Sequence, residues 1–123
     1  LPAVAVDEGD AIDLDAALAR IDNDYAHLHE LALIFLEEYP RLSDGLRSAL
    51  EAGDSKALER AAHSFKGSTG IFSAARAVAA AQKLEDIGRT GDLSEAREAH
   101  DFLQQELVRV KRTLEETILV EAA

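Results

Sequence analysis

Apolar residues recur every three or four positions along most of the chain, which is the spacing of a buried helix face. A short helix is predicted to begin at Asp13, and the next carries apolar residues from Tyr25 to Tyr39. Pro40 is predicted to end that helix and to open another, which runs to a C-terminal cap at Gly53. Helical periodicity is therefore the main feature of the first half of the chain.

The second half continues with three more predicted helices. Asp54 or Ser55 caps the first of them, and a break near Ser73 separates it from an alanine-rich helix that would let a neighbour approach closely. The last and longest helix is predicted to begin near Asp92, which forms a capping-box-like start with Glu95. Its apolar stripe consists of Leu93, Ala96, His100, Leu103, Leu107, Val110, Leu114 and Thr117.

The composition indicates an all-α fold, because 23 alanines and 17 leucines outnumber six valines and six isoleucines. Short loops between long helices make neighbours antiparallel, so we predict an up-and-down four-helix bundle with an additional short N-terminal helix. The bundle is predicted over residues 12–120, after a linker at residues 1–11. Because the chain begins with Leu1 rather than methionine, we expect it to be part of a longer protein.

Charge and residue content exclude several classes of function. The chain has 13 lysines and arginines against 24 aspartates and glutamates, a net charge of -11. Nucleic acids and anionic membranes are bound by clustered basic residues, so we expect neither a nucleic-acid partner nor direct membrane contact. Cysteine is absent, and no apolar run reaches the about 18 residues of a membrane-spanning helix.

One segment breaks the local rules of helix formation. Gly67 and Gly70 lie inside a strongly periodic helix, where each costs about 1 kcal/mol relative to alanine. With His63 and Lys66 they fall at i, i+3, i+4 and i+7, so all four share one stripe beside the buried face. The pattern predicts an exposed imidazole nucleophile with a cation and free space beside it. On the residues alone, an ordinary surface histidine next to glycines that permit tight helix packing stays an open alternative.

The same segment resembles the signature of histidine-containing phosphotransfer (HPt) domains. Residues 62–68 read A-H-S-F-K-G-S, similar to the family's A-H-x-L-K-G-S, and residues 84–92 resemble its L-E-x-x-x-R-x-G-D segment. Phe65 replaces the usual leucine, and Ser73 stands where many relatives carry glycine. The resemblance covers residues 12–116 in the expected order, including the upstream pieces 13–20, 35–40 and 50–54.

The resemblance implies that His63 accepts a phosphoryl group, through Nε2, from a receiver-domain aspartate and passes it to another receiver. By position, Lys66 would stabilise the phosphoryl charge, while Gly67 and Gly70 would leave room for it. Ser68 matches a small hydroxyl position that could bond the ring or the phosphate. Glu85, on the next helix, matches a polar position that can hydrogen-bond and orient the imidazole.

The implied partners are receiver domains and a sensor histidine kinase, in cis or in trans, with the chain acting as a cytoplasmic monomer. The HPt module of a bacterial hybrid sensor kinase is the expected context. No cofactor is expected on the chain, since the receiver would bring Mg²⁺. The sequence has neither G-x-x-x-x-G-K-[ST] nor G-x-G-x-x-G, so we expect a phosphoryl carrier and not a kinase.

A helical bundle is also compatible with two other functions. A metal-binding bundle needs Glu-x-x-His motifs, and the residues three before the histidines are Asp24, Ala26, Arg60 and Arg97, so no metal site is expected. The alternative is a non-catalytic adaptor, an inactive HPt-like bundle that binds another chain through its last helix. The presence of both His63 and Lys66 favours the active form.

Overall fold

The computed structural model describes residues 10–119, and this part of the chain contains five α-helices and no strand. Helices α2 to α5 form the predicted up-and-down four-helix bundle: α2 packs on α3 and α5, and α4 packs on the same two helices. The short N-terminal helix α1 packs against α2. The helices are α1 (Leu14–Ala19), α2 (Tyr25–Ala52), α3 (Ser55–Gly70), α4 (Ala75–Thr90) and α5 (Ala96–Thr113), with a π-helical turn (Leu114–Ile118) continuing α5.

Aspartate side chains start the first three helices. Asp13, Asp24 and Asp54 each accept a hydrogen bond from the backbone N–H three residues further on. Gly53 ends α2 with a φ of 68°, in the left-handed region that glycine adopts without strain. The starts predicted at Asp13 and Asp54 and the end predicted at Gly53 are therefore confirmed.

Pro40 does not end a helix, so that prediction is wrong. Helix α2 runs through it for 28 residues, which makes α2, and not the last helix, the longest. Leu46 and Ala49 continue the buried face that Phe35 belongs to, while Pro40 itself is exposed. Proline has no N–H to donate to the carbonyl four residues earlier in the helix. Because this position faces solvent, water can donate a hydrogen bond to that carbonyl instead. Packing of one continuous face outweighs the roughly 3 kcal/mol cost of an internal proline.

Both ends of the last helix also differ from the prediction. Helix α5 begins at Ala96, because the Asp92 carboxylate accepts the N–H of Ser94 and holds a turn in place of a capping box. That hydrogen bond lowers the pKa of Asp92. At the other end Ile118 is buried and Thr117 is exposed. The π-helical turn holds more residues than an α-helical one, which moves the stripe on by one position.

An aromatic cluster fixes the inner face of α3. Phe65 is fully buried, with its ring centroid 6.0 Å from that of Tyr39, and Phe35 lies 5.8 Å from Phe72. All these pairs are edge-to-face, the favoured geometry for aromatic rings. Burial raises the pKa of Tyr39. Phe65, which stands where the A-H-x-L-K-G-S signature has leucine, therefore packs fully within this aromatic cluster. Burial of its ring keeps the opposite face of α3 towards solvent.

The turn between α3 and α4 is held by the N-terminal segment. The Arg20 guanidinium donates to the Gly70 carbonyl at 2.8 Å and to the Ser73 hydroxyl. Ser73 has a φ of 52°, a conformation that favours glycine, the residue that the resemblance implies at this position. Of the predicted linker, residues 1–9 lie outside the described residues, and Ala11 is buried in the core. Within residues 10–119, no helix has the length and apolar character needed to cross a membrane.

Candidate functional site

His63 lies midway along α3, on the side that faces away from the core. Ala62 and Phe65 beside it are fully buried, whereas its own side chain is 66% exposed. One turn further on, a Cβ built on Gly67 would have no neighbouring atom within 4 Å. The exposed imidazole predicted from the spacing is therefore present and the space next to it is open, whereas Lys66 and Gly70 on the same stripe are partly buried.

Glu85 reaches the imidazole from α4. Its Oε2 lies 2.9 Å from Nδ1 of His63, and the residue is only 5% exposed. An ionised carboxylate can only accept hydrogen bonds, so Nδ1 carries the ring proton. In the neutral imidazole the lone pair then resides on Nε2. The contact expected between Glu85 and the imidazole is thus formed, and it selects the nitrogen available for chemistry.

Cations keep Glu85 ionised in spite of its burial. The Lys66 ammonium lies 2.8 Å from Oε1, and Arg89 Nη2 lies 3.4 Å from Oε2. The Lys66 ammonium beside Oε1 is the largest influence on the Glu85 pKa and lowers it. Burial acts in the opposite direction, and the bond from His63 adds to the lowering. The carboxylate therefore stays charged next to the ring.

Lys66 is held between α3 and α4. Its ammonium donates to the Gln82 side-chain oxygen at 3.0 Å as well as pairing with Glu85, and its side chain is 28% exposed. Both partners belong to α4. In this structure the lysine therefore supports the carboxylate that orients His63.

Arg89 belongs to the same network, although no role was predicted for it. Its guanidinium bridges Glu59 on α3, at 3.4 Å, to Glu85 and Asp86 on α4. Its position four residues after Glu85 on one helix face was the signal in the sequence. Next to it, a Cβ on Gly88 would lie 2.7 Å from the backbone nitrogen of Glu59. The close approach of these helices, predicted from the alanines, thus depends on a glycine at this point.

Two predicted site residues do not join this network. The Ser68 hydroxyl donates to the Ser64 carbonyl of its own helix at 2.7 Å, so the bond to the ring is not formed. A bond from Ser68 to a phosphoryl group stays a prediction. Gly70 is the last residue of α3, two turns beyond His63, and its carbonyl accepts from Arg20. Among the described residues, no group of three or more histidines and acids is placed to hold a metal ion.

Comparison with known proteins places this arrangement in a family. The sequence model of the Hpt domain matches residues 30–113, which is more than half of the chain. The chain belongs to the Hpt family. This Hpt domain is also similar to the crystal structure of histidine-containing phosphotransfer protein B (HptB) from Pseudomonas aeruginosa PAO1. The identity is 27% and the TM-score is 0.78, over 86% of this chain and 92% of that one. No curated protein matched the sequence.

Proposed function

We propose that this Hpt domain carries a phosphoryl group on Nε2 of His63 as a step in a phosphorelay. Histidine phosphotransfer is the function of the family, and its members are phosphoryl carriers that interact with receiver domains and kinases. The observation that supports His63 as the acceptor is its 2.9 Å bond from Nδ1 to the buried Glu85 carboxylate. In the neutral imidazole this bond leaves the lone pair on Nε2, on a ring that is largely exposed.

The transfer step follows from this geometry. The Nε2 lone pair attacks the phosphorus of a receiver aspartyl phosphate in line with the acyl oxygen. The N–P bond forms as the P–O bond breaks, and the aspartate carboxylate leaves with the electron pair. Nδ1 keeps its proton, so the ring becomes positively charged, and the Glu85 carboxylate stabilises that charge as it develops. Transfer to a second receiver is the reverse of the same step.

The partners and setting belong to the same proposal. We expect receiver domains to be the donor and the acceptor, with Mg²⁺ bound on the receiver and no cofactor on this chain. A sensor histidine kinase, in cis or in trans, would start the relay in the cytoplasm. The missing phosphate-binding glycine motifs support a carrier without its own kinase site. The net charge of -11 favours protein partners over nucleic acids or anionic membranes.

The test is phosphoryl transfer from a phosphorylated receiver, with Mg²⁺, to the parent chain, to His63→Gln and to a matched control. His27→Gln is the control, since His27 is an exposed histidine at the start of α2. We expect acid-labile, alkali-stable label on the parent and on His27→Gln, and none on His63→Gln. Label that persists on His63→Gln would show that another residue is the acceptor. A parent that no receiver labels would favour the adaptor function.

A further inference from the structure

A surface cleft of about 570 Å³ lies beside the imidazole. It runs along the N-terminal side of His63, between α3 and α4. Lys66, the cation expected to bind the phosphoryl group, is not among the residues that line it. The lining residues are Lys56, Glu59, Arg60, His63, Ser64 and Glu85.

The two acids and the two cations that line this cleft differ in how they are paired. Its two acids are already paired, Glu59 with Arg89 and Glu85 with Lys66. Its two cations are not. Within residues 10–119, neither the Arg60 guanidinium nor the Lys56 ammonium has a hydrogen-bond or ion-pair partner, and both residues are exposed. On a chain with a net charge of -11, the cleft beside His63 thus presents two cations that no acid within residues 10–119 pairs with.

Helix geometry places Arg60 on the same side of α3 as the imidazole. Arg60 precedes His63 by three residues and Lys66 follows it by three, so the two cations flank the ring from opposite turns. The ammonium of Lys66 is held by a carboxylate at 2.8 Å and an amide oxygen at 3.0 Å. Arg60 is the flanking cation whose charge is not already engaged.

We infer that Arg60 binds the phosphoryl oxygens during transfer to His63, and that Lys66 is a positioning residue that acts through Glu85. This inference rests on His63 being the acceptor. The planar guanidinium can donate two parallel hydrogen bonds to two phosphoryl oxygens, a geometry that suits phosphate. Arg60 gains and loses no proton and forms no covalent bond; it offsets negative charge on the oxygens while the N–P bond forms. Lys56, one turn earlier, adds a second positive charge.

The test compares initial rates of transfer from a phosphorylated receiver to the parent and to Arg60→Gln, Arg60→Lys, Lys66→Gln and Arg97→Gln. Arg97 is an exposed arginine on α5 that does not line the cleft, so Arg97→Gln is the matched control. Loss of hydrogen bonds to a charged group should slow Arg60→Gln roughly tenfold, with Arg60→Lys intermediate and Arg97→Gln like the parent. The unpaired, exposed Arg60 leaves the fold intact when replaced, which circular dichroism verifies.

Two further readouts separate contact with the phosphoryl group from other roles. The ³¹P resonance of the phosphorylated histidine should move in Arg60→Gln and stay in place in Arg97→Gln. Lys66→Gln should slow transfer in the parent and have little further effect in a chain that already carries Glu85→Gln, because Lys66 acts through that carboxylate. Arg60→Gln should slow transfer by the same factor in both chains.

The outcomes distinguish this inference from the function on which it rests. A parent that takes up no label, or a labelled His63→Gln, overturns the acceptor assignment itself. With the parent labelled on His63, an unchanged rate in Arg60→Gln overturns the role of Arg60. A slower rate with an unmoved ³¹P resonance does so too, because Arg60 would then contact the receiver and not the phosphoryl group.

Discussion

Two glutamates are buried in this bundle, and their partners differ in one respect. Glu106 on α5 is 3% exposed and pairs with Arg76 at 3.0 Å and Arg109 at 2.9 Å. Glu85 on α4 is 5% exposed and pairs with a lysine and an arginine in a similar way. Only Glu85, of the two, also accepts a hydrogen bond from an exposed imidazole. Burial and ion pairs with two cations hold each carboxylate in place. The additional hydrogen bond from His63 is what connects Glu85 to the chemistry of the site.

The surroundings of Glu106 indicate a structural role. Arg76 links it across the α4–α5 interface and lies over the Phe102 ring, 5.8 Å from its centroid. Neither guanidinium has a nitrogen whose lone pair could attack a phosphoryl group, whereas a neutral imidazole such as that of His63 has one. A buried ionic cluster therefore does not by itself mark a functional site, and variants of the two glutamates should separate stability from transfer.

The largest expected effect is on stability, in Glu106→Gln. Glu106→Gln removes the negative charge from two ion pairs at a buried position, but these arginine side chains are 42% and 29% exposed and can rehydrate. We expect a loss of about 2 kcal/mol in the free energy of unfolding, measured by denaturant titration, with no change in the transfer rate at 25 °C. Glu98→Gln, an exposed position on the same helix, is the control. A slower transfer by folded Glu106→Gln would contradict the structural role.

Glu85→Gln, in contrast to Glu106→Gln, should lower the rate of phosphoryl transfer. The amide oxygen can still accept from Nδ1, but it lacks the negative charge that stabilises the ring once Nε2 has been phosphorylated. We expect transfer from a phosphorylated receiver to fall about tenfold. Asp86→Asn is the matched control, because Asp86 is the adjacent, exposed acid and also binds Arg89. An equal loss of rate in Asp86→Asn would mean that general charge, and not the bond to the imidazole, matters.

The helices were predictable because local signals agreed with the packing. Periodicity, the caps predicted at Asp13 and Asp54 and the end predicted at Gly53 gave their order, but the prediction had one helix too many because it divided α2 at Pro40. Pro40 was misread because the cost of an internal proline depends on whether its position faces solvent and whether the same helix face continues beyond it. Those are properties of the packed bundle. The buried Ile118 was missed because a π-helical turn changes the register of the stripe.

The part of the site that lies on a single helix was predictable from the sequence. The spacing of His63, Lys66 and Gly67 within α3 gave the exposed stripe. Partners across the interface were not predictable from spacing, because long side chains choose among acceptors on a second helix. The distance between those helices depends on Gly88. Glu106 left a usable signal, since it lies three residues after Leu103 and four before Val110, on the buried stripe.

The smallest expected effect is on the pH dependence of the free energy of unfolding, and it tests whether Glu85 is held ionised. Its pKa is lower in the folded chain than in the unfolded one, chiefly through the Lys66 ammonium beside it. A lowered pKa stabilises the fold fully above the pKa of the unfolded carboxyl, and the contribution is lost as the pH falls through the folded value. The free energy of unfolding should be compared in His63→Gln with and without Glu85→Gln, so that titration of the imidazole does not contribute. The difference should be largest near neutral pH and narrow towards acid. A difference that stays constant would mean that the cations do not hold the carboxylate in its charged form.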